Sequence, residues 1–232
     1  MGKPFSTLKR TAFEANLELP RRGLVLYTFG NVSVLDRGRG VFAIKPSGVS
    51  YDALKPDHMV VVDLDNRVVD GTLRPSSDTK THTVLYRNFT GIASVVHTHS
   101  TYATAWAQAM RPVPVLGTTH ADHLAVDIPC TKVMSETAVR GDYEEETGLQ
   151  IVEAFRRLSH EEVEMVLVAC HGPFTWGKTP DKAVYNSVVL EELAKMAFLT
   201  IGINPKVPRL KKSLVNRHFL RKHGKNAYYG QK

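Results

Sequence analysis

His97 and His99, in Val95-Val96-His97-Thr98-His99-Ser100, are two imidazoles separated by a single residue. Residues two apart on a strand share a face, so both rings point at one spot if this segment is extended. The β-branched run before them places the pair at the end of a buried strand, where loops build sites. Paired imidazoles grip a divalent metal, and a third with an open position beside it describes a catalytic zinc, which polarises a substrate oxygen as a Lewis acid. His171 is the candidate third ligand: Met165-Val166-Leu167-Val168-Ala169 reads as a second buried strand, and Cys170-His171-Gly172-Pro173 as its exit. Cys170 is a soft alternative, but on a strand it points away from the side its neighbour His171 faces. His120 and His123, in Gly117-Thr118-Thr119-His120-Ala121-Asp122-His123, stay open both as ligands and as residues working beside the metal.

Three short polar clusters accompany the histidines: Gly30-Asn31, Lys45-Pro46-Ser47-Gly48 and Ser76-Ser77. Each stands at an expected strand exit or helix start, where exposed N–H groups and hydroxyls hold an anion, and Lys45 adds a positive charge. The sequence contains neither a P-loop nor a G-x-G-x-x-G motif, which points to a small phosphorylated substrate rather than ATP or a dinucleotide.

The elements that must position these residues follow from periodicity and punctuation. An amphipathic helix is expected over Thr7 to Leu19, with Leu8, Ala12, Ala15 and Leu19 on one stripe and Pro20 as its stop. Val25 to Phe29, Val32 to Leu35, Val41 to Ile44 and Met59 to Asp63 read as strands, and Asp65-Asn66 as a hairpin leading to Val68-Val69. A helix follows Pro75-Ser76-Ser77-Asp78, any of whose polar residues could cap it, with Leu85, Tyr86 and Phe89 buried. Further helices are expected over Thr101 to Met110, Glu144 to Leu158, from Thr179-Pro180-Asp181 to about Leu199, and Arg209 to His223. Strands early, helices interspersed and no regular βαβ alternation favour a three-layer α/β/α sandwich with a central, largely antiparallel sheet.

With 232 residues, 43% of them hydrophobic, the chain can bury a full core, and residues 1–232 read as one domain. No apolar run approaches the ~20 residues that span a bilayer, and Met1 to Arg10 lacks a secretory apolar segment, so a cytoplasmic protein is expected. Cys130 and Cys170 are too few for a disulfide framework and are expected to be buried thiols. The formal charge is +7, but Leu193 to Lys232 carries ten positive charges and no acidic ones, leaving the first 192 residues at −3. The basicity belongs to the tail, and no aromatic-interleaved or helix-turn-helix pattern accompanies it, so neither a nucleic-acid nor a membrane partner is expected.

With these residues assembled, the chain resembles the class II aldolase/adducin-like family, and within it the L-ribulose-5-phosphate 4-epimerases. The matching segments include Gly30-Asn31-Val32-Ser33, Ile44 to Val49, Pro75 to Thr79, Val96 to Ser100, Gly117 to Asp122, His171 to Phe174, Arg221 to Gly224 and the final Tyr228-Tyr229-Gly230-Gln231. Related aldolases typically carry Glu at the position of Asp78 and lack this ending. The resemblance implies zinc on His97, His99 and His171, with Asp78 at or beside the metal and Mn²⁺ or Co²⁺ as possible replacements. It implies substrate contacts from Asn31, Lys45, Ser47, Gly48, Ser76, Ser77 and Thr118, with His218 near the phosphate end and Asp122 and Tyr229 as the acid/base pair. It also implies a homotetramer whose sites lie between subunits, acting on a phosphorylated ketopentose. The hydrogen at C4 of such a sugar is not adjacent to the C2 carbonyl, so inversion there calls for retro-aldol cleavage of C3–C4 and re-addition of glycolaldehyde phosphate through its other face. The competing expectations are a ketose-phosphate aldolase of the fuculose or rhamnulose 1-phosphate type, and a non-enzymatic interaction module of the adducin-head type.

Overall fold

In the computed structural model, which describes residues 4–224, 227 and 228, helix α1 (Ser6–Arg21) precedes four strands, β1 (Asn31–Asp36), β2 (Val41–Ile44), β3 (Val60–Asp63) and β4 (Val68–Asp70). Helix α2 (Thr79–Asn88), strand β5 (Ser94–His97) and helix α3 (Thr101–Gln108) follow, and then the short helices α4 (Thr118–Ala121) and α5 (Glu136–Arg140). The chain continues through α6 (Tyr143–Ala154), the hairpin β6 (Met165–Leu167) and β7 (Pro173–Gly177), α7 (Pro180–Ile203) and α8 (Lys212–His223). The strands form one sheet in the order β4-β3-β2-β1-β5-β7-β6, and every neighbouring pair is antiparallel.

Strand alternation divides the apolar residues between two faces. Val32, Val34, Val41, Ala43, Val61 and Val96 pack with Ala12, Ala15 and Leu19 of α1 and Ala183 and Val184 of α7. Phe42, Ile44, Val60, Val62, Val95, Phe174 and Trp176 pack with Leu85 and Tyr86 of α2 and Ile151 of α6. Helices therefore cover both faces, which is the three-layer sandwich expected from sequence. The central strands bring the site together: β1, β5 and β7 are adjacent, and their ends carry Asn31, His97 and the turn before Pro173. Buried Asn16 of α1 fixes the start of β1, its Oδ1 accepting from Val32 N–H at 2.9 Å and its Nδ2 donating to Val32 O at 2.8 Å.

Several expectations are corrected. Val25 to Phe29 is not a strand: both positions beside β1 are taken by β2 and β5, and the segment instead loops outward, with Tyr27 at φ +52° and Leu26, Tyr27 and Phe29 exposed. Pro20 does not stop α1 at Leu19: the helix runs one residue past it to Arg21, and Arg22 N–H and Gly23 N–H donate to Glu18 O and Pro20 O as the chain turns at Gly23, φ +68°. The second buried strand ends at Leu167 rather than Ala169. The sequence reading has no counterpart for β7, although Phe174 and Trp176 are fully buried in it. Cys170 sits in the β6–β7 turn at φ +63° and is exposed rather than buried, while Cys130 is half-buried. Asp78 occupies the position before α2 without capping it, since its carboxylate turns toward the site.

Candidate active site

His97 is the last residue of β5, paired in register with Asn31 of β1 on one side and Phe174 of β7 on the other. Its ring stacks on Phe174, with centroids 4.2 Å apart, and its Nδ1 lies 3.0 Å from the Pro173 carbonyl oxygen. A carbonyl only accepts, so Nδ1 carries the proton and Nε2 presents its lone pair. That Nε2 faces His99 Nε2 at 3.0 Å. His171 enters from the β6–β7 turn, closed by its own N–H donating to Val168 O at 3.0 Å. Its ring centroid lies 4.7 Å from that of His97 and 5.1 Å from that of His99.

Two glycines permit this convergence. A Cβ on Gly30, which sits at φ +73°, would lie 2.7 Å from His97 O, and one on Gly172 would lie 2.9 Å from Thr98 O. Only bare backbone lets the β1 entry and the β6–β7 turn approach the histidine strand this closely.

One nitrogen from each of the three histidines lies within 4.8 Å of the others, and among the described residues this is the one such group of potential metal ligands. Burial, with the charges of His97 and His99, pushes His171 down to about 3, and burial first of all lowers His99. Both rings are therefore neutral, with lone pairs available near pH 7. Clustered imidazoles with one Nε2 fixed as an acceptor fit a divalent metal, whose bonds to nitrogen of about 2.0–2.1 Å can bridge the group.

Asp78 stands beside this cluster in the same cleft. Its Oδ2 accepts from Asn31 Nδ2 at 2.7 Å and from Ser76 Oγ at 3.3 Å. Burial works to raise the Asp78 carboxyl, but the charge His97 and His82 carry when protonated, and the Asn31 hydrogen bond, outweigh it and hold the group below its ordinary value. The Asn31 amide also donates to Ser76 Oγ at 3.1 Å, so it orients Asp78 as well as facing the cleft.

The cleft, of about 410 Å³, is lined by the three histidines, Asp78, Asn31, Lys45, Ser47, Gly48, Ser76 and Ser77. The Lys45 and Ser76 loops are cross-linked by Ser47 N–H to Arg74 O at 2.9 Å and Ser76 N–H to Lys45 O at 3.0 Å. Lys45 is only 2% exposed; its Nζ reaches Thr28 O at 3.4 Å and lies 4.9 Å from the Tyr51 ring centre. Burial lowers its amine to about 8, and an anion in the cleft would favour the charged form. Four lining residues escaped the sequence reading: Thr28, Phe29, Tyr143 and Glu144. Tyr143 OH is 3.4 Å from His171 Nδ1. The only signal near it is Asp142, whose side chain accepts from Glu145 N–H and starts α6.

Thr118, Asp122 and His218 do not line this cleft. They belong to α4, the turn after it and α8, which meet over a small cluster of Val115, Ala121 and Val215. Asp122 Oδ1 is 3.0 Å from His218 Nδ1, and both carboxylate oxygens accept from Arg221. His120 is buried, with Nε2 3.1 Å from Val126 O, and burial lowers it to about 4; His123 lies against Tyr185. Neither they nor Cys170 belong to the metal-competent group. Tyr229 lies outside the described residues.

The family model for the class II aldolase and adducin N-terminal domain matches residues 10–198. L-ribulose-5-phosphate 4-epimerase UlaF of Salmonella paratyphi C is 55% identical over 97% of this chain and 99% of its own, and the UlaF protein of Salmonella paratyphi A is 54% identical over the same shares. Among solved structures, an L-fuculose 1-phosphate aldolase is similar with a TM-score of 0.79 at 24% identity, over 94% of this chain and 96% of that one. The L-fuculose-1-phosphate aldolase of Thermus thermophilus is similar with a TM-score of 0.64 at 27% identity, over 88% and 98%. Sequence and fold agree, and the chain belongs to the class II aldolase and adducin family.

Proposed function

We propose that this chain, acting as one domain, interconverts L-ribulose 5-phosphate and D-xylulose 5-phosphate with zinc on His97, His99 and His171. The observation that carries the reading is a single cleft with three clustered imidazoles at one part and a buried lysine among serine hydroxyls at another. The 55% identity to an L-ribulose-5-phosphate 4-epimerase supports the choice of sugar.

The C4 hydrogen is not acidic, so C4 is inverted by breaking and remaking C3–C4. His97, His99 and His171, with Asp78 at or beside them, would hold a divalent cation, which would supply Lewis acidity for the electrons released as C3–C4 breaks. Ser47, Gly48, Ser76 and Ser77, with Asn31, hold the phosphate, and the Lys45 ammonium offsets its charge. The aldehyde fragment stays tethered by that phosphate while it turns to present its other face. Breaking the bond removes the proton from O4 on one side, and reforming it after the aldehyde has turned returns one on the other, so two acid/base groups are needed. Asp122 handles the O4 proton of one epimer and Tyr229 that of the other.

Asp122 and His218 lie outside their own chain's cleft, so the reading assigns them, with Thr118 and Tyr229, to the cleft of a neighbouring subunit in a homotetramer. The test is to incubate purified, metal-analysed protein with L-ribulose 5-phosphate and follow D-xylulose 5-phosphate against free aldehyde. Interconversion supports the proposal. Accumulating aldehyde would instead mark an aldolase, and inertness of metal-loaded protein a non-catalytic module.

A further inference from the structure

Asp122 joins two elements far apart in sequence. Arg221 donates from Nε to its Oδ1 at 3.0 Å and from Nη2 to its Oδ2 at 2.8 Å, a planar two-point pairing that a lysine ammonium cannot reproduce. His218 Nδ1 lies 3.0 Å from Oδ1, Lys222 Nζ lies 3.8 Å from Oδ2, and His223 Nε2 donates to the Asp122 carbonyl at 3.0 Å. His123, beside Asp122 after α4, interacts electrostatically with it, with Lys222 and His223 of α8 and with Lys182 of α7. The carboxylate is thus faced by cations and imidazoles, and its side chain is 14% exposed.

We propose that Arg221 is a positioning residue of the reaction, whose two-point fork holds the Asp122 carboxylate in one orientation, so that Asp122 takes the O4 proton of one epimer as C3–C4 breaks and returns it in the reverse direction. This rests on the reading that Asp122 acts at O4. In that step the O4 proton moves to Asp122 Oδ2, the O–H electron pair becomes the second bond of the C4 aldehyde, and the C3–C4 electrons remain on the C3 fragment. Each carboxylate oxygen has two acceptor directions; the fork takes one on each and His218 faces Oδ1, while Lys222 stands at 3.8 Å from Oδ2, an ion-pair distance longer than a hydrogen bond, so Oδ2 keeps an acceptor direction for the proton. Burial acts to raise the Asp122 carboxyl, but the hydrogen bonds from Arg221 and His218 and the charge of Lys222 outweigh it. Loss of the fork would leave that effect of burial less opposed.

The experiment compares pH profiles of kcat for wild type, Arg221→Gln, Arg221→Lys, Asp122→Asn and the Asp122→Asn/Arg221→Gln double variant, with metal content measured on each. Arg221→Gln is expected to move the acidic limb up by about one pH unit and to lower kcat about 10²-fold. Arg221→Lys keeps the charge and at most one of the two hydrogen bonds, so its limb is expected between those of wild type and Arg221→Gln while kcat falls; it also serves if the Gln variant does not fold. Metal content is unchanged in all, and in the Asp122→Asn background Arg221→Gln costs less than about threefold. A slow Asp122→Asn with an unmoved Arg221→Gln limb, or with an undiminished Arg221→Gln loss in the double variant, overturns this inference alone. Wild-type rates in Asp122→Asn remove the acid/base reading and this inference together.

Discussion

In the histidine cleft, strand register positions His97 and burial keeps His99 and His171 uncharged; Asp122 is positioned by contacts with α8 and held as a carboxylate by Arg221, His218 and Lys222. His97 is fixed by its place opposite Asn31 and Phe174 and by one hydrogen bond to Pro173 O. Asp122 is fixed by a fork from a residue 99 positions away. The first arrangement suits a ligand set that must offer lone pairs at neutral pH. The second suits a group that exchanges protons, because its affinity for a proton is set by partners that can be changed singly. On the proposed reading, the electron-withdrawing and the proton-handling parts of the reaction are held by independent means.

That independence can be broken at either end. The largest effect is expected from His97→Asn, which removes the ligand whose tautomer the structure fixes: metal and activity fall together to background by elemental analysis and coupled assay, and retention of both would reject the site. Asp122→Asn is expected to cost about 10²–10⁴-fold in kcat while metal content stays at the wild-type level. If it also lost metal, the two regions would be coupled after all. Gly30→Ala tests the backbone approach beneath the histidines, where a Cβ would lie 2.7 Å from His97 O at φ +73°. It should lower stability by about 1–3 kcal/mol in denaturant melts and weaken metal retention. An unchanged midpoint would show that the strand end yields easily.

The smallest effect is a pH dependence of capture. Lys45 has its amine lowered to about 8, so the charged form that meets a phosphate is present below that pH and lost above it. The free-protein parameter kcat/KM for the phosphorylated sugar should fall about tenfold per unit above pH 8, with kcat nearly flat. Lys45→Gln should be low throughout and lose the bend there. A bend that survives the substitution belongs to another group.

The three histidines were legible because period-two spacing and a strand exit are local signals, and the structure brings the same three residues together. The polar turns at Asn31, Ser47 and Ser76 were legible for the same reason. β7 was missed although Phe174-Thr175-Trp176 alternates and all three residue types favour strands; with Pro173 opening it and Gly177 closing it, the signal is only three residues long, and pairing with β5 and β6 completes the strand. Val25 to Phe29 failed in the opposite direction, with strand-like residues but no free sheet edge. Glu144 reads as an ordinary helix start with Tyr143 just before it, and only the tertiary fold turns that start toward His171. The fork on Asp122 is a long-range pairing between a loop aspartate and an arginine to which the sequence assigned no role, which spacing cannot disclose.

The separation of Asp122 and His218 from their own chain's cleft has a consequence for mixtures. If each working centre combines one chain's histidines with another chain's α8, a His97→Asn chain is defective as recipient and sound as donor, and an Asp122→Asn chain is the reverse. Unfolded together and reassembled, two dead proteins should produce some live centres where sound cleft meets sound donor. Genetics calls this intragenic complementation, and here it would be written in which face of the chain carries each mutation.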